Sequence, residues 1–419
     1  MTKVNKWTLG LAAVGLVSLP AVVQAEEKPN QLLTALSSTM ISGYVDTSVH
    51  WNPGTGNANP PGYAFNAPSK QDGFNLNVVN VVLEKPLDEG TWSAGYKVDL
   101  VLGPNAVRFN TSSPSGFGPS QVPGAAAASD LAIKQAYIAL RAPIGNGLDL
   151  KIGSFDTIVG YEVFNAGSNP NYTRSYGYTI EPTEHTGVLA SYQINKAVGF
   201  SLGIANTWSA GINNRSARTE SSKSYMGALT LTAPDSMGFL AGSALYLGFV
   251  DGYNTLVGND VSSYYAGGTL ATPIKQLKLG ASWDYAHAHD NHFGPTGYAQ
   301  AVALYASVQA TEKLSFHFRG EWADITDGVA TGGRFNSGTG SVGGIPSEVI
   351  ALTGTIQYDL WANVLSRLEV RWDHSIGEGA PFGGTSPGAA SPATEGAGNP
   401  HGAHLKNAVL IAANIIYKF

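Results

Sequence analysis

The sequence predicts an all-β protein, a transmembrane antiparallel β-barrel of about 16 strands, with a range of about 14 to 18. Apolar residues recur at every second position from about residue 40 to the end, which is the period of a strand with one oily face. Beyond the first 25 residues no window holds the roughly 20 apolar residues of a membrane helix. A membrane-spanning chain of this kind must close its strands into a ring, because lipid cannot pair backbone groups.

The amino terminus has the pattern of an export signal. Lys3 and Lys6 precede an apolar run from Trp7 to Val23, and small residues stand before Glu26, where a signal peptidase would cleave. Leucines at helical spacing follow, in a segment that is either a short plug or a leader with little order. The predicted units are a signal peptide (1–25), a short periplasmic leader (26–38) and an outer-membrane β-barrel (39–419).

Short connections alternate with long ones, as expected for short periplasmic turns and long extracellular loops. The turns are predicted at 84–90, 142–147, 193–198, 233–238, 272–276, 310–313 and 359–366. The loops, rich in Gly, Pro, Asn and Ser, are predicted at 52–72, 103–129, 156–184, 209–223, 251–260, 288–296, 324–347 and 375–403. Both chain ends then lie on the turn side, which requires an even number of strands.

The best-defined strands indicate which face meets lipid. Between Lys313 and Trp322, large apolar residues alternate with charged and polar ones. An arginine turned towards lipid would cost about 2–4 kcal/mol near the midplane, so this register is firmly set. The small residues from Gly199 to Thr207 predict a face that meets water. The strands at 74–83 and 131–140 are apolar on both faces, which predicts cover on both sides, from an inserted loop or a neighbouring subunit.

Acids and bases are interspersed on the predicted inner faces. Cross-strand ion pairs along the wall, each worth about 0–1 kcal/mol when exposed, are the simplest interpretation. A basic ladder formed by Arg319, Arg367 and Arg371 that guides anions is the alternative. The inward-facing charges are predicted to be Lys97, Asp99, Asp149, Lys151, Lys278, Asp284, Arg319, Glu321, Arg367, Glu369, Arg371 and Asp373.

The last strand, from His404 to Phe419, places its apolar residues on one parity and ends on an aromatic residue. Chains that are assembled into the bacterial outer membrane resemble this pattern, whereas a soluble strand gains nothing from a terminal Phe. The carboxy terminus therefore predicts the outer membrane of a Gram-negative bacterium as the location.

Composition limits the chemistry. The sequence contains no cysteine, which excludes disulfides, thiolate metal sites and covalent haem attachment. Without Lys3 and Lys6, 22 basic residues oppose 30 acidic ones, and this acidic balance argues against nucleic acid as a partner. No glycine-rich phosphate loop opens a helix, and no cofactor is expected.

The segment 156–184, here called the third loop, is the strongest candidate for a functional site. It is long and rich in aromatic residues and opposed charges, as a pore constriction requires. The simpler interpretation is a surface loop that covers the barrel mouth. Under the constriction hypothesis Arg174 faces Glu162 or Glu181 across the opening. The candidate constriction residues are Tyr161, Glu162, Arg174, Glu181 and Glu184.

Two other chemistries have weaker support. His287, His289 and His292, with Asp284 and Asp290, could hold a transition metal, although a loop that merely contains several histidines is commoner. A hydrolase would need a serine, a histidine and an acid brought together, and no distinctive serine motif is present. We therefore predict neither a metal site nor an enzyme.

The stretch from about Gly43 to Trp208 resembles the β-barrel porin family described as OmpL-like. The resemblance lies in FNLNVVNVVLEKPLDEG, WSAGYKVDLVLGPNA, KQAYIALRAPIGNGLDLKIGSFDT, GYEVFNAGSNPNYTRSYGY and HTGVLASY. Ser154 and Thr173 stand where Lys and Ser were expected. The resemblance implies an outer-membrane pore for passive diffusion of small hydrophilic solutes or ions. By analogy a homotrimer embedded in outer-membrane lipid is expected. The alternative is a barrel whose loops 103–129, 324–347 and 375–403 serve binding, adhesion or metal capture.

Overall fold

The computed structural model describes residues 39–54, 56–88, 92–109, 131–212, 214–216, 221–255, 258–289, 296–326, 347–377, 380–385 and 403–419. The predicted signal peptide and leader lie outside these residues, as does most of the loops at 103–129, 324–347 and 375–403. Among the described residues no helix is long and apolar enough to cross a membrane.

The described residues form sixteen antiparallel strands closed into one barrel. This confirms the predicted fold class and strand number. The strands are β1 Met40–Trp51, β2 Gly73–Lys85, β3 Ser93–Leu102, β4 Leu131–Ala142, β5 Leu148–Asp156, β6 Glu184–Gln193, β7 Val198–Ala205, β8 Ser224–Thr232, β9 Ala244–Asn254, β10 Asn259–Ala271, β11 Leu277–Ala288, β12 Gly297–Gln309, β13 Leu314–Ile325, β14 Glu348–Trp361, β15 Val364–Ser375 and β16 Asn407–Lys418.

The ring closes between the first and last strands, where Thr47 pairs with Ile415. Gly43 and Phe419 complete the seam, because each backbone N–H donates to the other residue's carbonyl oxygen at 3.0 Å. The terminal aromatic residue therefore ends the ring on the turn side, where both termini were expected.

Short helices occupy some connections. The helix α1, Tyr176–Ile180, lies in the third loop, and 3-10 helices occur at Pro68–Lys70, Pro104–Phe109, Ala166–Ser168 and Asp235–Leu240. The predicted loop at 251–260 is shorter than expected, because β9 and β10 remain paired up to Asn254 and Asn259.

The two strands that looked apolar on both faces each contain a bulge. In β2 the register shifts so that Asn77 is the extra residue, and in β4 the extra residue is Lys134. A bulge exchanges the parity of the residues that follow it. Leu131 and Ile138, of opposite parity, are consequently both exposed. The bulges therefore explain why these strands look apolar on both faces, because they place apolar residues of both parities on one continuous outer face.

Candidate functional site

The third loop lies inside the barrel. It leaves β5 at Asp156 and returns to β6 at Glu184, and most of its residues are buried. The ring of Tyr161 stacks on Tyr305 of the wall at 4.1 Å between centroids. At the other end of the loop, the Tyr176 hydroxyl donates to Asp373 at 2.7 Å. The loop therefore crosses the interior and contacts β12 and β15.

The first part of the loop packs against small wall residues. Ile158 and Val159 belong to a buried apolar cluster with Ala205 and Ala228. A Cβ atom added to Gly248 would lie 2.7 Å from Val159 Cγ1, so the glycine makes room for the loop. The small residues of β7 were expected to meet water. That expectation was wrong for Ala205, since apolar residues of the loop share its buried cluster.

Beyond this point the loop reaches the opposite wall. Phe164 and Ala166 share a buried cluster with Val78 and Ala132 of β2 and β4, and with Leu365 of β15. Contact with strands on both sides of the ring fixes the height and tilt of the loop, because each end has its own apolar anchor.

Arg319 of β13 is the main polar anchor. Its Nη1 donates to Glu162 Oε1 at 2.8 Å and to the Thr173 carbonyl at 2.6 Å. Its Nε donates to Glu321 Oε1 at 2.6 Å, and the Arg319 side chain is 0% exposed. A guanidinium removed from water needs partners for all its donors, and the loop supplies several of them.

Arg371 and Glu369 of β15 hold the next stretch of the loop. Arg371 Nη1 donates to the Arg174 carbonyl at 2.7 Å, and its Nη2 donates to Asp373 Oδ1 at 2.9 Å. Glu369 accepts hydrogen bonds from the backbone N–H groups of Tyr172 at 2.6 Å and Thr173 at 2.9 Å. The charged wall residues thus satisfy the backbone of a segment that has no strand partner.

Arg367 completes the set, closer to the periplasmic end of β15. Its Nη1 and Nη2 donate to the carbonyls of Ala166 and Asn169 at 2.8 and 2.6 Å. The three arginines considered as an anion ladder therefore all bind the loop. All three guanidinium groups donate hydrogen bonds to carbonyl groups of the loop, and those of Arg319 and Arg371 also pair with carboxylates.

Arg174 does not make the predicted pairing. Its guanidinium donates to the carbonyls of Tyr172 and Phe164 and lies 5.5 Å from the ring centres of Phe65 and Tyr178. Glu162 pairs with Arg319 instead. The partner was missed because Arg319 is 157 residues away in sequence, and local pattern gives no indication of such a contact.

The other two acidic candidates are also buried. Glu181 caps the carboxyl end of α1, and Glu184 is the first residue of β6. A Cβ atom on Gly177 of α1 would clash with the carboxylate of Asp284, which faces inward from β11. Burial raises the pKa of Tyr161 and Tyr172, so both phenols stay protonated. All five candidate residues thus lie in the inserted segment, and their role in permeation stays a prediction.

The first loop, residues 52–72, also folds inward, which sequence analysis missed. The ring of Tyr63 lies 3.7 Å from the Arg371 guanidinium, a cation–π contact. The Ala64 N–H donates to Thr179 Oγ1 of α1 at 2.9 Å. Lys70 donates to Asn105 Oδ1 at 2.6 Å, and burial lowers its pKa to about 8. Aromatic residues between the glycines and prolines of this loop were its only sequence indication.

On the β2 to β5 wall most of the inward charges are paired with each other. Lys97 lies 3.7 Å from Glu84, and Arg141 Nε lies 2.6 Å from Asp149. Lys134, the bulge residue of β4, pairs with Asp156 and Asp99. Lys151 lies 5.0 Å from the centre of the Tyr137 ring.

A water-accessible cavity of about 750 Å³ opens below the third loop, on the turn side. Its upper boundary is Gly167–Pro170 of the loop, and its sides are the turn-side ends of β11 to β16. This cavity, here called the vestibule, connects the periplasmic end of the barrel with the inserted loop.

The comparisons identify the family. The family described as "Putative beta-barrel porin-2, OmpL-like" matches residues 38–419. The chain belongs to this family. A search of curated proteins gives no match. The expected resemblance to this family rested on the first half of the barrel, and the match now extends over the whole barrel. The protein is a β-barrel porin of the outer membrane.

Solved structures show the same fold at low identity. The outer-membrane channel DcaP of Acinetobacter baumannii has a TM-score of 0.54 at 10% identity, over 91% of this chain and 97% of that chain. An anion-selective porin from Comamonas acidovorans has a TM-score of 0.53 at 12% identity, over 91% of this chain and 99% of that chain. The trimer form of OmpT from Vibrio cholerae has a TM-score of 0.51 at 10% identity, over 91% of this chain and 99% of that chain. Family and fold are those of a channel rather than an enzyme.

The histidine cluster of this porin does not converge where it is described. His287 of β11 and His289 just after the strand lie edge to face at 5.0 Å between ring centres, whereas Asp284 of β11 is buried and faces the lumen. His292 and Asp290 lie outside the described residues. Among the described residues no group of three or more metal-ligating side chains is found.

Proposed function

We propose that this porin lets small hydrophilic solutes and ions diffuse passively across the outer membrane, and that the third loop is its narrowest segment. The observation that carries the proposal is the third loop itself, which lies across the lumen on buried ion pairs above a vestibule open to water. A barrel of this strand number encloses an aqueous channel unless something fills it. Transport then follows concentration gradients and needs no cofactor.

The proposal includes assembly and export. Cleavage after Ala25 removes the signal peptide and leaves residues 26–38 as a short leader ahead of the barrel, and three copies assemble side by side in outer-membrane lipid. The trimer is supported by the OmpT structure of Vibrio cholerae, which is a trimer form. Chemical cross-linking of detergent-solubilised protein is expected to yield a limiting species of three chains.

Purified protein in a planar lipid bilayer tests the channel. Stepwise ion currents in potassium chloride are expected, and heat-denatured protein is the control. If folded protein inserts without any current, the channel is refuted and the binding or adhesion alternative becomes the better account.

A further inference from the structure

The charges that line the vestibule are unbalanced. Its lining includes four lysines and one carboxylate, that of Asp359. Phe419, whose carboxylate ends the chain, is not among the lining residues. The four lysines are Lys275, Lys278, Lys313 and Lys418.

Three of these lysines, Lys275, Lys278 and Lys313, make no ion pair with a described residue. Lys313 Nζ donates to the Leu360 carbonyl at 3.4 Å, and Lys418 Nζ donates to the Gly167 carbonyl at 3.3 Å. Among the described residues no carboxylate lies within ion-pair distance of Lys275 or Lys278. The hydrogen bond of Lys313 to a neutral carbonyl leaves its positive charge in place.

The buried ion pairs at the third loop differ from the vestibule, because bases and acids lie close together there. At the third loop, Arg319 and Arg371 meet Glu162, Glu321 and Asp373. Their fields cancel over a few ångströms, whereas the vestibule lysines act on any ion that enters. The lining of the vestibule, on the periplasmic side, therefore carries an excess of positive charge.

We propose that the vestibule makes this channel anion-selective and retains small polyvalent oxyanions, with inorganic phosphate as the probe. The inference rests on the proposed channel function. Ammonium groups bind phosphate as point charges and need no rigid fork. A low-dielectric wall around the cavity focuses their field. Screening should weaken the preference at high salt, because the Debye length falls from about 10 Å at 0.1 M to about 3 Å at 1 M.

Reversal potentials in a potassium chloride gradient test the proposal. Wild-type channels are expected to pass chloride over potassium, and phosphate on the turn side is expected to reduce the chloride current more than phosphate on the loop side. The triple variant Lys275→Gln, Lys278→Gln, Lys313→Gln should lose most of both effects. The matched control Lys196→Gln removes an exposed lysine of the β6 to β7 turn that does not line the vestibule, and it should change neither.

The outcomes separate the two proposals. Stepwise currents that are cation-selective, or a selectivity that the triple variant leaves unchanged, would overturn the vestibule proposal and leave the channel intact. A silent wild-type protein would overturn both. If the triple variant fails to fold, the single variants Lys275→Gln and Lys313→Gln, both at exposed positions, give the same test with smaller shifts.

Discussion

At the scale of single residues, a few buried charges determine where the inserted loop lies. Parity along β13 and β15 correctly predicted that Arg319 and Arg371 face inward, because alternation fixes the side of a strand. It could not predict that Glu162 and the Arg174 carbonyl meet them, since those groups are more than 100 residues away. The alternation of residues along a strand therefore predicts which face of the strand a charged side chain lies on. Its partner can be identified only once the third loop is packed against that face.

The substitution Arg371→Met should destabilise the barrel by about 3–5 kcal/mol, since Asp373 then remains buried with its main partner removed. Urea unfolding in detergent, followed by tryptophan fluorescence, measures the change. Adding Asp373→Asn should recover part of the loss. The exposed Lys196→Ala serves as control, and equal stability of Arg371→Met and wild type would contradict the assignment.

Lys70 should make stability depend on pH. Its pKa of about 8 in the folded protein lies below the usual value of about 10.4. Between these values the unfolded chain binds more protons, so the free energy of unfolding should rise as pH increases from about 8 to 10. Lys70→Met should flatten this rise in urea unfolding at several pH values. An identical slope in both proteins would argue against the burial of this amine.

At the scale of elements, most strands and turns could be predicted and the loops could not. Turn chemistry and period two placed the ends of β5, β6, β11 and β13 within a few residues. The inward and outward faces of β2 and β4 could not be assigned by alternation, because the extra residue of each bulge exchanges the two faces of the strand. The inward path of residues 52–72 was missed, since loops carry no period from which direction can be inferred.

A charged side chain on the outer face of the strands should lower the stability of the barrel. Leu352 is 58% exposed on β14 and pairs with Gly320 at the middle of β13. We expect Leu352→Arg to lower stability by about 2–4 kcal/mol, the cost of arginine near the midplane of the bilayer. Gln309→Arg, at the turn end of β12 where the vestibule begins, should have little effect. Unfolding in lipid vesicles compares the two, and equal losses would contradict the assigned faces.

At the scale of the whole molecule, a closed ring of strands encloses the lumen, and the inserted third loop narrows it in our proposal. The ring follows from hydropathy and backbone pairing, so the sequence alone was enough to predict it. What fills the ring depends on contacts such as Tyr161 with Tyr305 and Phe164 with Leu365. These contacts join distant parts of the chain, so the constriction could be suggested from sequence but its anchors could not.

The third loop can be removed without opening the ring. Asp156 pairs with Glu184, and the Thr157 N–H donates to the Thr183 carbonyl at 3.0 Å. A short linker of Gly and Asn in place of residues 158–182 should therefore join β5 to β6 as a tight hairpin. Arg319 and Arg371 would then be hydrated in a wider lumen.

Single-channel conductance of this variant beside the wild type tests most directly whether the inserted loop sets the width of the passage. Heat-modifiable electrophoretic mobility establishes that both proteins are folded. The conductance of the variant is expected to be several-fold higher than that of the wild type. Equal conductance in two folded proteins would contradict the central claim that solutes must pass the third loop.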